Sequence, residues 1–68
     1  MSKWLGLELR RIREEQGLTL LEASEKTGVS RRKLSELERG VRAAYLPTLT
    51  KIARGYGVPI EELLDGTP

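Results

Sequence analysis

The stretch from residue 19 to residue 40, TLLEASEKTGVSRRKLSELERG, leaves this chain few ways to fold. Thr19 followed by Glu22 has the spacing of a capping box, in which a hydroxyl and a carboxylate each bind the other residue's backbone N–H across a first helical turn. Ser30 stands where a second helix can begin, and Arg39-Gly40 supplies a basic last turn followed by a helix-ending glycine. Between the two segments lies little more than Gly28, which can take positive φ without a Cβ penalty, and Val29, sized to plug the turn. Two capped helices with so short a connection predict a helix-turn-helix unit.

Apolar spacing on either side predicts further helix. Residues 2–16 place Leu5, Leu9, Ile12 and Gln16 on one face, with Gly17 as the stop. Arg13 lies beside that face, so part of its stem should be buried. Trp4, Leu7 and Arg11 fall on another face. A terminal Trp folded over the core edge and a Trp-Leu contact with a partner chain are both open. Residues 18–27 hold the second helix, with Leu20, Ala23, Ser24 and Thr27 inward. Residues 31–39 hold the third: Leu34 and Leu37 should bury, Arg32, Ser35, Glu36 and Arg39 lie opposite, and Glu38 borders the buried edge.

A loop over 41–45 follows. Pro47 then suits the first turn of a fourth helix, where its missing N–H would go unpaired anyway. Leu46, Leu49, Ile52, Ala53 and Tyr56 form its apolar face; Gly55 weakens its end and Gly57 stops it. Pro59 opens a short fifth helix with Ile60, Leu63 and Leu64 apolar, closed by Asp65-Gly66, and Thr67-Pro68 should fray. With no repeat, linker or strand pattern, residues 1–68 are expected to form a single all-α domain, a compact five-helix bundle.

Composition excludes more than it proposes. The chain has no Cys and no His, which removes disulfides, thiolate chemistry, the commonest general base and the commonest metal ligand. Phosphate-binding glycine loops and paired carboxylates off a helix surface are also missing, so no enzyme, metal or cofactor is expected. No small-molecule ligand is evident. No apolar run can span a bilayer and no signal peptide is visible, which points to the cytoplasm and away from a membrane partner. Net charge is only +2, so distribution matters more than total. Residues 31–42 carry Arg31, Arg32, Lys33, Arg39 and Arg42 against Glu36 and Glu38, whereas the tail from Val58 has Glu61, Glu62 and Asp65 and no base.

LRRIREEQGLT (9–19), EASEKTGVS (22–30), LSELERG (34–40) and IARGYGVPIEELL (52–64) together resemble the phage-repressor (Cro/CI, or XRE) helix-turn-helix family. The resemblance covers nearly the whole chain. It implies a lambda-repressor-like DNA-binding domain whose third helix lies in the operator major groove while the second crosses the backbone, as a homodimer on a palindromic site. Carried over by position, Arg31, Arg32 and Glu36 match base-contacting sites, with Lys33 and Ser35 at adjoining positions. Ser30 and Arg39 match phosphate-holding sites. Arg13 and Glu38 match a partly buried salt bridge between the first and third helices. Two departures stand out. Leu20 replaces a Gln that touches DNA in the family, leaving Thr19 and Leu20 to hold a phosphate through helix-start N–H groups, and Ala23-Ser24 replaces a Leu-Ala pair.

The chemistry agrees with these roles. Arginine can donate two hydrogen bonds to guanine O6 and N7, worth about 1–3 kcal/mol of discrimination; Arg31 and Arg32 could instead only neutralise phosphates. Glu36 can accept from cytosine N4, or orient Arg32 and Arg39, four residues before and three after it, and the orienting role ranks first. Lys33, Arg39 and Arg42 are assigned to phosphates by default. Double-stranded DNA is thus the expected partner of a sequence-specific transcriptional regulator. The alternative is a protein-interaction module of the same fold that uses Trp4, Leu7 and the C-terminal apolar residues to hold a regulator or toxin, since fold alone does not fix function.

Overall fold

The computed structural model describes residues 3–64. Five helices follow one another: α1 (Lys3–Glu15), α2 (Leu20–Thr27), α3 (Arg31–Glu38), α4 (Leu46–Tyr56) and α5 (Ile60–Leu64). No strand occurs among the described residues. The expected closing role of Asp65-Gly66, the expected fraying of Thr67-Pro68 and the expected start of the first helix at residue 2 fall outside them.

Local chemistry explains the helix ends. Thr19 is extended, its Oγ1 accepts from Glu22 N at 3.1 Å, and Glu22 Oε1 accepts from Thr19 N at 2.9 Å, so the capping box is complete. It moves the start of α2 to Leu20 rather than residue 18, because the N-cap Thr19 is extended at φ −73, ψ 167 and the helix can begin only after it. Gly28 then takes φ +76, its N–H bonded to Ser24 O, and Ser30 Oγ caps α3 by accepting from Lys33 N at 3.1 Å. The third helix stops one residue earlier than its spacing predicts: Arg39 is its C-cap, and Gly40 reverses the chain at φ +73. The Gly40 N–H bonds Leu37 O and the Val41 N–H bonds Glu36 O. This is the paired closure of a Schellman turn.

One core holds the five helices together: Leu5, Leu9 and Ile12 of α1, Ala23 of α2, Val29 of the turn, Leu34 and Leu37 of α3, Leu49, Ile52, Ala53 and Tyr56 of α4, and Leu63 of α5. Thr27 is buried with them, and its hydroxyl is paired there: it donates to Ala23 O at 2.8 Å and accepts from Val29 N at 3.2 Å, which also satisfies the Val29 N–H. Two expected core residues are exposed. Leu46 and Leu64 sit at the outer ends of α4 and α5, where the helical stripe runs past the neighbours that would cover it. Gln16 shares the apolar face of α1 only through its amide, which donates to Tyr56 O at 2.7 Å.

Two glycines decide how closely the helices pack. A Cβ on Gly6 would lie 2.5 Å from the carbonyl oxygens of both Leu37 and Glu38, and one on Gly55 would lie 2.6 Å from Thr27 Cα. Helix α1 thus rests directly on the C-terminal turn of α3, and α4 on the last turn of α2. These contacts hold the two motif helices from behind and leave their outer surfaces free.

Candidate nucleic-acid interface

Leu34 and Leu37 anchor α3 to the core and turn Arg31 and Arg32 outward, where both are exposed. Lys33, Ser35 and Glu36 are half-buried on the flanks, and Arg39 is exposed at the C-cap. Among the described residues, the side chains of Arg31, Lys33 and Arg39 make no hydrogen bond or ion pair. The two acids of the helix are each engaged. Glu38 turns inward to α1, and Glu36 is held by Arg42 with Nε–Oε1 at 2.7 Å. Once these acids are offset by Arg13 and Arg42, the four cations Arg31, Arg32, Lys33 and Arg39 remain on the surface of one short helix.

Helix α1 shows the contrast. Its outward Arg10 pairs with Glu14 at 3.1 Å. Arg11 is bound by Glu8, by Glu15 at 2.7 Å, and reaches Glu62 of α5 at 3.7 Å. The hydrogen bonds that Arg11 donates to Glu8 and Glu15 raise the Arg11 pKa above its ordinary value, and the one to Glu8 lowers the Glu8 pKa. Such pairs add little stability at the surface, but they neutralise α1 locally.

The structure brings Arg13 and Glu38 together. Arg13 Nε donates to Glu38 Oε2 at 2.7 Å and Nη2 to Oε1 at 3.0 Å, a bidentate fork whose side chains are only 13% and 7% exposed. Arg13 Nη1 also donates to Leu18 O at 2.8 Å. The Glu38 hydrogen bond raises the Arg13 pKa, with burial opposing it. Tyr56 lies against the same pair. Its buried hydroxyl has no partner among the described residues, and burial, then the Glu38 charge, pushes its pKa up to about 12.

The partners of Glu36 differ from those its spacing predicts. Arg39, three residues on, is not among them. Arg42 is, because the reversal at Gly40 returns the loop over the last turn of α3. Arg32 reaches the same carboxylate only at 3.6 Å, beyond hydrogen-bond range, and its side chain is 87% exposed. The Arg42 hydrogen bond lowers the Glu36 pKa, against a smaller opposing effect of burial and with help from the charges of Arg42 and Arg32. Arg42 lies six residues from Glu36, beyond one helical turn, and Gly40 is the residue whose reversal brings it back.

At the start of α2, Thr19 is occupied by its box with Glu22, and Leu20 is half-buried. The N–H groups of Leu20 and Leu21 carry no backbone hydrogen bond among the described residues. They are the donors this end offers, beside the capped start of α3 at Ser30.

A bundle of short helices presenting a capped pair, with unpaired cations on the second, defines a helix-turn-helix domain. The chain belongs to the HTH_3 helix-turn-helix family, the Cro/CI or XRE group, whose model matches residues 9–63. It is 40% identical over 67 residues to y4dJ of Sinorhizobium fredii, described as an uncharacterized HTH-type transcriptional regulator, with 98% of this chain and 87% of that protein covered. Among solved structures, it matches an HTH_3 family transcriptional regulator from Vibrio cholerae with a TM-score of 0.89 at 30% identity, over 97% of this chain but only 37% of that one. It also matches the DNA-binding domain of BldD with a TM-score of 0.81 at 40% identity, covering 93% of this chain and 97% of the other.

Proposed function

We infer that this chain is a DNA-binding transcriptional regulator whose third helix enters the major groove. The observation that carries this reading is the cluster of cations on α3 away from the buried Leu34 and Leu37: Arg31, Lys33 and Arg39 have no acid partner among the described residues, and Arg32, 87% exposed, keeps only the 3.6 Å contact to Glu36. Membership of a helix-turn-helix family and similarity to proteins described as transcriptional regulators support it. In this proposal Arg31 and Arg32 read base edges, Lys33 and Ser35 flank them, and Glu36 acts beside them. Ser30, Arg39 and the helix-start groups at Thr19 and Leu20 hold phosphates. The domain is non-catalytic, acts in the cytoplasm, and binds as a homodimer across a two-fold site, because one helix of this length reaches too few bases to specify a site alone.

Selection of bound duplexes from a random pool, combined with a salt titration, tests the reading. The expected result is a palindromic consensus with half-sites about one helical turn apart, and affinity that falls steeply with salt. Absence of enrichment at low salt would move the assignment to a protein-interaction module. The exposed Trp4 and Leu7 on α1 are the surface that supports that second reading.

Arg39→Ala separates phosphate contact from base reading. It should weaken binding to all duplexes alike and reduce the salt slope by about one. A changed consensus would instead place Arg39 among the base readers.

A further inference from the structure

We propose that Arg42 is a positioning residue for base reading: it takes up the Glu36 carboxylate and so leaves Arg32 free to reach a base. The proposal rests on the DNA-binding reading above and names a residue outside the recognition helix that tunes it. Three observations place Arg42 in this role. The Schellman closure at Gly40 bonds Val41 N to Glu36 O at 3.0 Å, which returns the chain to Glu36 one residue before Arg42. Arg42 Nε then donates to Glu36 Oε1 at 2.7 Å. The Glu36 side chain is only 19% exposed under this contact, whereas that of Arg32, whose Nε lies 3.6 Å from the other oxygen, is 87% exposed.

The division of the carboxylate has a chemical consequence. An acid on a groove-facing helix repels phosphate and competes with bases for the nearest arginine. Arg32 and Glu36 stand four residues apart, a spacing at which an undistracted pair closes into a direct ion pair. With Arg42 already bound, the charge of Glu36 is offset and its better-placed oxygen is used, so Arg32 can leave at little cost when a guanine offers two acceptors. Arg42 thereby acts on base preference through Glu36. A phosphate contact from Arg42 would act on affinity alone.

The test compares binding-site selections for the wild type, Arg32→Ala, Arg42→Gln and the double variant Glu36→Gln/Arg42→Gln, with thermal melting to establish that each is folded. Arg32→Ala identifies the base position that Arg32 reads. Arg42→Gln should reduce preference at that same position by about fivefold or more, the lower end for loss of a bidentate guanine contact. The double variant should recover it, because no acid remains to hold Arg32.

Three results overturn the proposal. In one, Arg42→Gln lowers affinity equally for all duplexes with a salt slope reduced by about one, which makes Arg42 a phosphate contact. In another, the double variant recovers no preference at the Arg32 position. In the third, Arg32→Ala alters no base preference at all. A wild type that selects no sequence would instead refute the DNA-binding reading itself, so the two failures are distinguishable.

Discussion

Glu38→Ala is expected to lower the unfolding free energy by about 3–5 kcal/mol, the range for breaking a buried ion pair by removing one partner. The loss is large because of what stays behind. Arg13 would retain its hydrogen bond to Leu18 O but lose both bonds to the carboxylate, at a site where its side chain is 13% exposed. A guanidinium cannot shed its proton to escape, so the charge remains desolvated and unmatched. A domain of this size has about 3–10 kcal/mol in total, so the variant should be close to unfolded at room temperature. Urea unfolding monitored at Trp4 or by circular dichroism measures the change. A loss under about 1 kcal/mol would mean the pair behaves as a surface ion pair. Replacing both partners, as Arg13→Met/Glu38→Leu, should recover part of the loss, since packed apolar groups can substitute for a buried pair but a lone charge cannot.

Gly6→Ala should destabilise, which reverses the sign expected from helix propensity. In an open helix the change would add about 0.8–1.0 kcal/mol of stability. Here the new Cβ would stand 2.5 Å from two carbonyl oxygens, of Leu37 and Glu38, which belong to backbone and cannot rotate away. Helix α1 must then lift off the end of α3, and overpacking of that kind costs about 1–3 kcal/mol. Gly55→Ala should behave likewise, because its Cβ would meet Thr27 Cα at 2.6 Å and Lys26 O at 2.7 Å. Thermal melting of both variants checks this, and a raised melting temperature for Gly6→Ala would show that α1 and α3 stand further apart. The effect also bears on function, since the displaced turn of α3 carries Glu38 and Arg39.

Much of the domain was legible residue by residue. Thr19 with Glu22, Gly28, Ser30 and Gly40 act on backbone groups within a few positions of themselves, so the two motif helices could be placed to within two residues. Leu5, Leu9, Ile12, Leu34, Leu37 and Ile52 were readable as core because each repeats at helical spacing against at least one like neighbour. The same rule failed for Leu46 and Leu64, where periodicity continues beyond the helix that would cover it. It also made Gly55 a weak point of α4, when its missing side chain is what admits α2.

The basic content of residues 31–42 was likewise plain, but not which charges were available. Counting alone left five cations against two acids. Pairing assigns Glu38 to a helix twenty-five positions away and Glu36 to the loop, and leaves Arg31, Lys33 and Arg39 without a partner among the described residues. Caps, turns and periodicity act over one or two turns of chain, so the residues alone placed the motif helices to within two positions and revealed most of the apolar faces and the basic character of the second motif helix. The spacing of α1 from α3, the arginine that holds Glu36 and the set of cations left unopposed came from the folded arrangement. Those depend on where a reversed loop and a neighbouring helix arrive in space, and no spacing along the chain encodes that distance.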